Sequence, residues 1–306
     1  MTRAGVLAEA RKAESLGYEV VVKADHLYEQ LSPLAALTMV AENVGLRVGA
    51  YVLCNDFRHP VLMAKEAATV DVVTEGRFEL GLGAGWVPAE YEMAGIPFDA
   101  GAVRFERLAE TVQITKLAFA GEQFSFDGTH YRVRDYTPYP RPATPEGPPL
   151  VLGGGGPRLL SLAGTHADIV SLVPAAATEG GLRATHLSLD SLKQKSALVR
   201  AAAGTRSRDP EINILIFDVV ISGDRRAAAT SYLHDIEARL DGFVVDGELT
   251  VDQLLGSPHV LFGTHEQITE HVIGVREQKG ASYDQRLPAL HGRLRAGTDQ
   301  TARILA

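Results

Sequence analysis

The sequence predicts an α/β fold, and a (β/α)8 barrel in preference to a doubly wound sheet. Short β-branched runs alternate with amphipathic helical segments, a pattern typical of parallel strands covered by helices. The 306 residues suffice for one large barrel. No polar, low-complexity linker divides the chain. We therefore expect a single domain over residues 1–306.

The predicted helices carry apolar side chains at the spacing of one helical face. Gly17 ends the first helix, and Pro60 opens the third. The predicted helical segments are 5–16, 33–44, 60–73, 103–119, 158–165, 188–203, 225–241, a short insertion at 249–256, and 266–278.

The predicted strands are short apolar runs between these helices, and alternation around Asp127-Gly128 indicates a hairpin. They are segments 19–23, 46–53, 77–82, the hairpin 124–133, 150–152, 169–172 and 212–222. Segments 84–102, 120–148 and 173–187 are expected to be insertions that form much of a pocket wall, and the second of them contains the hairpin.

Charge and cysteine content exclude several classes of function. Lys plus Arg number 30 and Asp plus Glu number 38, a net charge of −8, which disfavours binding to nucleic acid or an anionic membrane. The single cysteine, Cys54, excludes an internal disulfide and a thiolate zinc cluster, and we expect no metal. Without a signal peptide or an apolar run of about 20 residues, the expected location is the cytoplasm.

Polar residues follow the predicted strands, where barrels of this kind place their active sites. Asp25 and His26 come directly after strand 19–23. A histidine there can act as an acid or base near neutral pH, and the aspartate can orient its ring or bind a ligand. A plain surface turn is an equal alternative. His59, before Pro60, and the lone Cys54 are expected to have structural roles.

Two glycine-rich junctions suggest ligand contacts. Gly83-Ala84-Gly85-Trp86 combines bare backbone with a flat ring, which suits a planar cofactor or simple packing. The run Gly153, Gly154, Gly155 and Gly156 ends a strand, and Pro157 opens a helix. Unpaired N–H groups at that helix start, approached over glycines, predict a phosphate or other anion, with a flexible turn as the alternative.

The sequence resembles the bacterial luciferase-like superfamily of flavin and deazaflavin oxidoreductases, most closely its coenzyme F420-dependent branch. The resemblance rests on five stretches and covers most of the chain. They are ARKAESLGYEVVVKADHL, NDFRHPVLMAKEAATVDVVTEGRFELGLGAGW, RFERLAETVQITKLAF, LVLGGGGPRLLSLAGTHADIVSL and SPHVLFGTHEQITEHV.

The resemblance implies a TIM barrel, usually dimeric, with a cofactor ring at the strand ends. It implies that Asp25 and His26 lie beside the deazaflavin, with His26 handling a proton. Tyr51-Val52 matches a strand-end bulge with a non-proline cis peptide behind the ring. Gly153 to Gly156 with Pro157 matches the loop that holds the cofactor phosphate.

The chain departs from the family pattern at both ends and at Trp86. No first barrel strand precedes the helix near Gly5, and no apolar eighth strand follows Gly280. Such a barrel is incomplete unless another chain covers the seam. Trp86 stands where some deazaflavin dehydrogenases of the superfamily carry a proton-donating carboxylate.

The leading hypothesis is an oxidoreductase that transfers a hydride between F420 and a small, mostly apolar organic substrate. The resemblance implies that it is a homodimer. One alternative is an FMN-dependent monooxygenase that uses molecular oxygen. Another is a non-catalytic barrel homologue that acts as a binding protein. A sugar-phosphate isomerase or aldolase is a weaker alternative, which only Lys23 favours.

Overall fold

The structure, a computed structural model, describes residues 2–174, 181–236 and 244–277. The chain separates into two compact units that divide between Gly153 and Gly154. No helix in the described ranges is long and apolar enough to cross a membrane.

The first unit is a parallel sheet with helices and one antiparallel hairpin. Its helices are α1 (Arg3–Ser15), α2 (Pro33–Ala41), α3 (Pro60–Val73), α4 (Pro88–Ala94) and α5 (Gly101–Ala120). Its strands are β1 (Val20–Lys23), β2 (Arg47–Ala50), β3 (Leu53–Cys54), β4 (Phe78–Gly83), β5 (Phe124–Asp127), β6 (Arg132–Tyr136) and β7 (Leu150–Gly154), the last ending at the first residue of the second unit. The parallel order is β1-β2-β4-β7, with β3 also beside β4, so the carboxyl ends of these strands share one edge.

Strand β4 is the centre of this sheet, and all six of its residues are buried. Two of them have to be glycine because neighbouring atoms occupy the place of a side chain. A Cβ atom at Gly81 would overlap the carbonyl oxygen of Ala50. A Cβ atom at Gly83 would lie 2.5 Å from Cγ2 of Val52. The absence of side chains at Gly81 and Gly83 leaves space for the turn that follows β2.

Two carboxylates fasten loops of the first unit to its helices. Asp71 is fully buried and accepts hydrogen bonds from the backbone N of Thr144, at 2.7 Å, and its Oγ1, at 2.9 Å. Glu110 accepts from the backbone N of Thr129, at 2.7 Å, and of Tyr131, at 2.9 Å, which fixes the hairpin turn. Both contacts satisfy donors that regular secondary structure leaves unpaired.

In its described residues, the second unit contains three parallel strand pairs and five α-helices. Its helices are α6 (Pro157–His166), α7 (Leu189–Ala203), α8 (Arg225–His234), α9 (Val251–Leu255) and α10 (His265–Glu277). Its strands are β8 (Ile169–Leu172), β9 (Gly181–Arg183), β10 (Glu211–Ile214), β11 (Asp218–Ile221), β12 (Val244–Asp246) and β13 (Val260–Gly263), paired as β8–β10, β11–β13 and β9–β12. Helices α6 and α7 meet at Gly164, where a Cβ atom would overlap the carbonyl oxygen of Val199.

Two predicted strands are each divided in the structure. Segment 46–53 divides into β2 and β3 because the chain turns at Tyr51 and Val52, whose peptide bond is cis. Segment 212–222 divides into β10 and β11 because the chain changes partner, from β8 to β13. Between β10 and β11, the carbonyl oxygen of Leu215 contacts a side chain instead of a neighbouring strand. It lies 2.7 Å from Nδ1 of His259.

Sequence patterns missed helix α4 and strands β9, β12 and β13. Several predictions fall on residues that the structure does not describe. Helix α4, which begins at Pro88, was not predicted because segment 84–102 is rich in glycine, which is unfavourable in helices. Predicted helix 225–241 ends at His234 where it is described, and its residues 237–241 lie outside the described ranges. The same holds for residues 175–180 of segment 173–187 and for the expected lack of an eighth strand after Gly280. The single-domain organisation stays a prediction.

Lys195 on α7 gives a prediction about stability. Its side chain is 6% exposed, and its Nζ donates to the carbonyl oxygen of Val173 at 2.9 Å. Burial lowers the pKa of Lys195 to about 8. Because the unfolded chain has the higher lysine pKa, this ammonium opposes folding below pH 8, and the penalty fades as the pH rises from there.

We expect Lys195→Met to raise the free energy of unfolding by about 1–2 kcal/mol at pH 7. The gain should shrink between about pH 8 and pH 10. Urea unfolding at several pH values measures this, with Lys193→Met on the exposed side of the same helix as the control. A Lys195→Met variant that is less stable than the wild type at every pH would contradict the prediction.

Candidate active site

The ring of His26 lies just beyond the carboxyl end of β1, and a buried glutamate holds it. His26 Nδ1 is 3.0 Å from Glu90 Oε1 and 3.1 Å from Oε2. The same Oε1 accepts a hydrogen bond of 2.7 Å from the backbone N of Leu27. Glu90 belongs to α4 and is 3% exposed, so its carboxylate is turned inward to the turn that carries His26.

Asp25 has different partners from its neighbour. Its Oδ1 accepts from Arg58 Nη2 at 3.2 Å, its Oδ2 accepts from Nη1, and Oδ2 also accepts from the backbone N of Cys54 at 3.1 Å. Burial acts to lower the pKa of Arg58, but the contacts with Asp25 outweigh it and raise that pKa. Asp25 therefore joins the ends of β1 and β3, while Glu90 has the ring-orienting position that the sequence offered to Asp25.

A hydrogen-bonded group behind these residues fixes the ends of β3 and β4. The hydroxyl of Tyr91 donates to Asp56 Oδ2 at 3.1 Å and lies 3.4 Å from Cys54 Sγ. Arg107 donates to both oxygens of Asp56, at 2.9 and 2.8 Å. Burial raises the pKa of Cys54 to about 11, which keeps it a thiol at neutral pH and agrees with the structural role predicted for it.

The turn between β2 and β3 lies against the strand ends. Tyr51 donates its backbone N–H to the carbonyl oxygen of Lys23, at 2.8 Å, and a cis peptide bond joins Tyr51 to Val52. The Val52 side chain faces Gly83, where a Cβ would be 2.5 Å away. The structure thus brings the predicted residues Tyr51, Val52 and Gly83 to the edge of the sheet that also carries His26.

Two aromatic side chains flank the His26 ring. Tyr28 stacks on it with ring centroids 5.6 Å apart, and Trp86 meets it edge-on at 6.0 Å. Tyr28 is 52% exposed and Trp86 is 43% exposed, so both rings present apolar surface to solvent. Burial, and then the Glu90 carboxylate, raise the pKa of Tyr28. His26 therefore lies in an aromatic surround that favours an apolar ligand.

The glycine run belongs to the end of β7 and the start of α6. Gly156 precedes Pro157 as the N-cap residue with extended backbone, and among the residues that the structure describes no side chain caps the helix there. Residues 153–156 all lack a left-handed φ, so turn geometry is not the reason for this run. A Cβ at Gly154 would be 2.6 Å from Leu159 Cδ2, whereas one at Gly156 would meet no atom within 4 Å. The helix start is thus uncapped and open, as an anion site requires.

His59 makes a structural contact at the start of a helix. His59 is the N-cap of α3, and its Nδ1 accepts from the backbone N of Val61 at 3.3 Å. In the described parts of the chain, His, Cys, Asp and Glu side chains nowhere gather in a group of three that could hold a metal ion.

Sequence reasoning missed Glu90 and Arg58, the direct partners of His26 and Asp25. Glu90 is 64 residues from His26, and Arg58 is 33 residues from Asp25, so no local pattern joins either pair. The one available signal was Pro88, which is typical of a first helical position and would have indicated a helix in segment 84–102.

Known proteins that are similar in sequence identify the family of this chain. Residues 2–298 match the profile of a family described as luciferase-like monooxygenase. An F420-dependent glucose-6-phosphate dehydrogenase of Microbacterium testaceum is 35% identical over 167 residues, which are 51% of this chain and 48% of that protein. An FMNH2-dependent dimethylsulfone monooxygenase of Pseudomonas putida is 28% identical over 247 residues, which are 78% of this chain and 63% of that protein.

Solved structures show the same fold. The coenzyme F420-dependent tetrahydromethanopterin reductase of Methanopyrus kandleri superposes with a TM-score of 0.70 at 16% identity, over 92% of this chain and 88% of that one. This confirms the predicted fold class, an α/β barrel of the TIM type. In sequence, the chain spans about half the length of the curated dehydrogenase that it matches.

Proposed function

Since the chain belongs to the luciferase-like monooxygenase family, we propose that it is an oxidoreductase that transfers a hydride between coenzyme F420 and a small, mostly apolar organic substrate. One observation carries the proposal above the others: His26, held by the buried Glu90, lies at the strand ends between two half-exposed aromatic rings. The similar glucose-6-phosphate dehydrogenases are described as F420-dependent, which supports F420 as the cofactor of this chain.

Each of the two units carries residues that fit one part of a flat cofactor with a phosphate tail. Asn55 is 4% exposed, and within the described residues its Oδ1 has no hydrogen-bond partner, so a buried acceptor near the strand ends would gain a partner from a ligand N–H that reached it. The run Gly153 to Gly156, with Pro157, would hold the phosphate at the start of α6. Tyr51, Val52, Gly83 and Asp25 would contact the ring.

The chain's own part in the reaction is proton handling, positioning and exclusion of water. F420, when bound, supplies the hydride chemistry. His26 takes the hydroxyl proton when an alcohol is oxidised and returns it when a carbonyl is reduced. Tyr28 and Trp86 cover the ring of His26 and leave apolar surface for the substrate, which limits water there.

An FMN-dependent monooxygenase is the second candidate. The dimethylsulfone monooxygenase of Pseudomonas putida aligns with 78% of this chain, a longer share than the 51% aligned with the glucose-6-phosphate dehydrogenase. An anion site at α6 suits either cofactor, because both carry a phosphate. The names of those relatives give glucose-6-phosphate and dimethylsulfone as substrates. We propose a different, mostly apolar substrate for this chain because aromatic side chains flank His26.

Titration of the purified protein with F420 and with FMN decides between the candidates. We expect F420 to bind more tightly, by difference absorbance and by calorimetry. Tighter binding of FMN would move the assignment to the monooxygenase. Folded protein that binds neither cofactor would overturn the proposal in favour of a non-catalytic homologue.

A pair of glycine variants tests the phosphate position in the same titration. Gly156→Asp puts a negative charge into the open space before α6, and we expect F420 affinity to fall by 10-fold or more, roughly the effect of losing one charge-assisted contact. Gly223→Asp is the matched control, since a Cβ there also meets no atom within 4 Å. Equal affinities for the two variants would place the phosphate elsewhere.

The proposal also includes a homodimer that acts in the cytoplasm, on a small-molecule substrate without nucleic-acid or membrane partners. We include the homodimer because members of the family that the sequence resembles are usually dimeric. Light scattering during size-exclusion chromatography tests that part directly, and a monomer at micromolar concentration would remove it.

A further inference from the structure

Glu90 is a buried acid whose hydrogen bonds converge on the turn around His26. It is the third residue of α4, after Pro88, and its side chain points away from solvent. One oxygen accepts from the Leu27 backbone, and both oxygens lie within 3.1 Å of His26 Nδ1. The carboxylate therefore fixes the backbone beside the ring and one atom of the ring itself.

The chemistry of these contacts selects one form of the imidazole. An ionised carboxylate only accepts hydrogen bonds, so His26 Nδ1 must donate. In neutral histidine one ring nitrogen carries the proton and the other accepts, so donation from Nδ1 leaves Nε2 with a free lone pair. An unconstrained neutral histidine prefers the opposite form, with the proton on Nε2. The glutamate thus imposes a form that the free side chain disfavours.

The ring is also held in orientation. Tyr28 stacks on its face with an interplanar angle of 23°, and Trp86 meets it at 89°. Asp25 cannot share the orienting role, because Arg58 and the backbone N of Cys54 bind its carboxylate. Glu90 is the acidic side chain that hydrogen-bonds to His26 in the described structure.

We infer that Glu90 is a positioning residue that holds His26 as the Nδ1–H tautomer, so that Nε2 is the atom that exchanges a proton with the substrate. This inference rests on the proposed function for its catalytic meaning, but not for the tautomer itself. When Nε2 takes up a proton, the adjacent Glu90 carboxylate stabilises the imidazolium that forms.

Nitrogen NMR of the cofactor-free protein tests the tautomer directly. At about pH 9, where an ordinary histidine is neutral, long-range proton–nitrogen spectra distinguish Nδ1–H from Nε2–H. The His26 signals are identified by their loss in His26→Asn. We expect wild-type His26 to be mainly Nδ1–H. A wild-type ring that is mainly Nε2–H would overturn the inference.

Substitutions at Glu90 test the cause. In Glu90→Ala the acceptor is gone, and we expect mainly the Nε2–H form. In Glu90→Gln the amide oxygen accepts from Leu27 and the amide NH2 faces Nδ1, so the Nε2–H fraction should also rise; this near-isosteric variant decides the matter if the alanine variant does not fold. Glu92→Gln, exposed on the same helix, is the control and should keep the wild-type form. Folded Glu90 variants that stay Nδ1–H would overturn the inference.

Turnover adds a second readout that a merely structural role would not give. We expect Glu90→Gln to lower kcat by about 10²-fold or more with KM little changed, because the wrong nitrogen carries the proton. Equal losses in Glu92→Gln, or a change in KM alone, would contradict the positioning role. Because the NMR measurement needs neither cofactor nor substrate, failure of the F420 proposal and failure of this inference give separate results.

Discussion

The His26→Asn variant is expected to lose about 10²–10⁴-fold in kcat, the range for removal of a general acid–base group. Asparagine keeps a polar side chain of similar reach that can still bond to Glu90, but it cannot exchange a proton. Steady-state turnover with F420 measures the loss, and cofactor titration checks that the binding site is intact.

His59→Asn is the matched control for that experiment. His59 caps α3 through its Nδ1, and asparagine is a favourable N-cap residue, so this variant should keep both stability and turnover. A His26→Asn enzyme that retains wild-type turnover would show that the proton is handled elsewhere and would remove His26 from the mechanism.

Gly81→Ala is expected to lower the free energy of unfolding by about 3 kcal/mol or more, or to prevent folding. Its added methyl group would overlap the carbonyl oxygen of Ala50, which is main chain and cannot rotate away. Relief would require β2 and β4 to separate at the centre of the sheet. Urea unfolding followed by circular dichroism, with the soluble fraction on expression, measures the effect.

Gly274→Ala is the control of opposite sign. Gly274 lies within α10, and a Cβ there meets no atom within 4 Å. Alanine at that position should stabilise the protein by about 0.5–1 kcal/mol, because glycine loses more conformational freedom in a helix. If both variants were equally stable, steric overlap at Gly81 would not be the reason for its glycine.

Local patterns predicted most of the regular elements. Helix Pro60–Val73 has the predicted bounds, because Pro60 marks its start and its apolar residues recur on one face. Strand Ile169–Leu172 is also as predicted, since all four of its residues are buried and apolar or small. These elements depend on residues that are neighbours in the sequence, which is why the sequence alone identifies them.

The divided strands and the partners in the site depend on distant residues. Segment 212–222 is apolar throughout, and only the positions of β8 and β13 decide where it divides. The positions of Asp25 and His26 after β1 followed from the fold, but their bonds to Arg58 and Glu90 did not. Side chains that come into contact only in the folded protein leave no periodic signal in the sequence. Glu90 in particular cannot be distinguished in the sequence from an acidic residue on the surface.

The edge-on contact of Trp86 with His26 makes the site observable without a label. The chain contains a single tryptophan, so its emission comes from one place, 6.0 Å from the imidazole ring. The nine tyrosines can be avoided by the choice of excitation wavelength. We therefore expect the fluorescence of Trp86 to change when a ligand binds beside His26, and this change can be followed in real time.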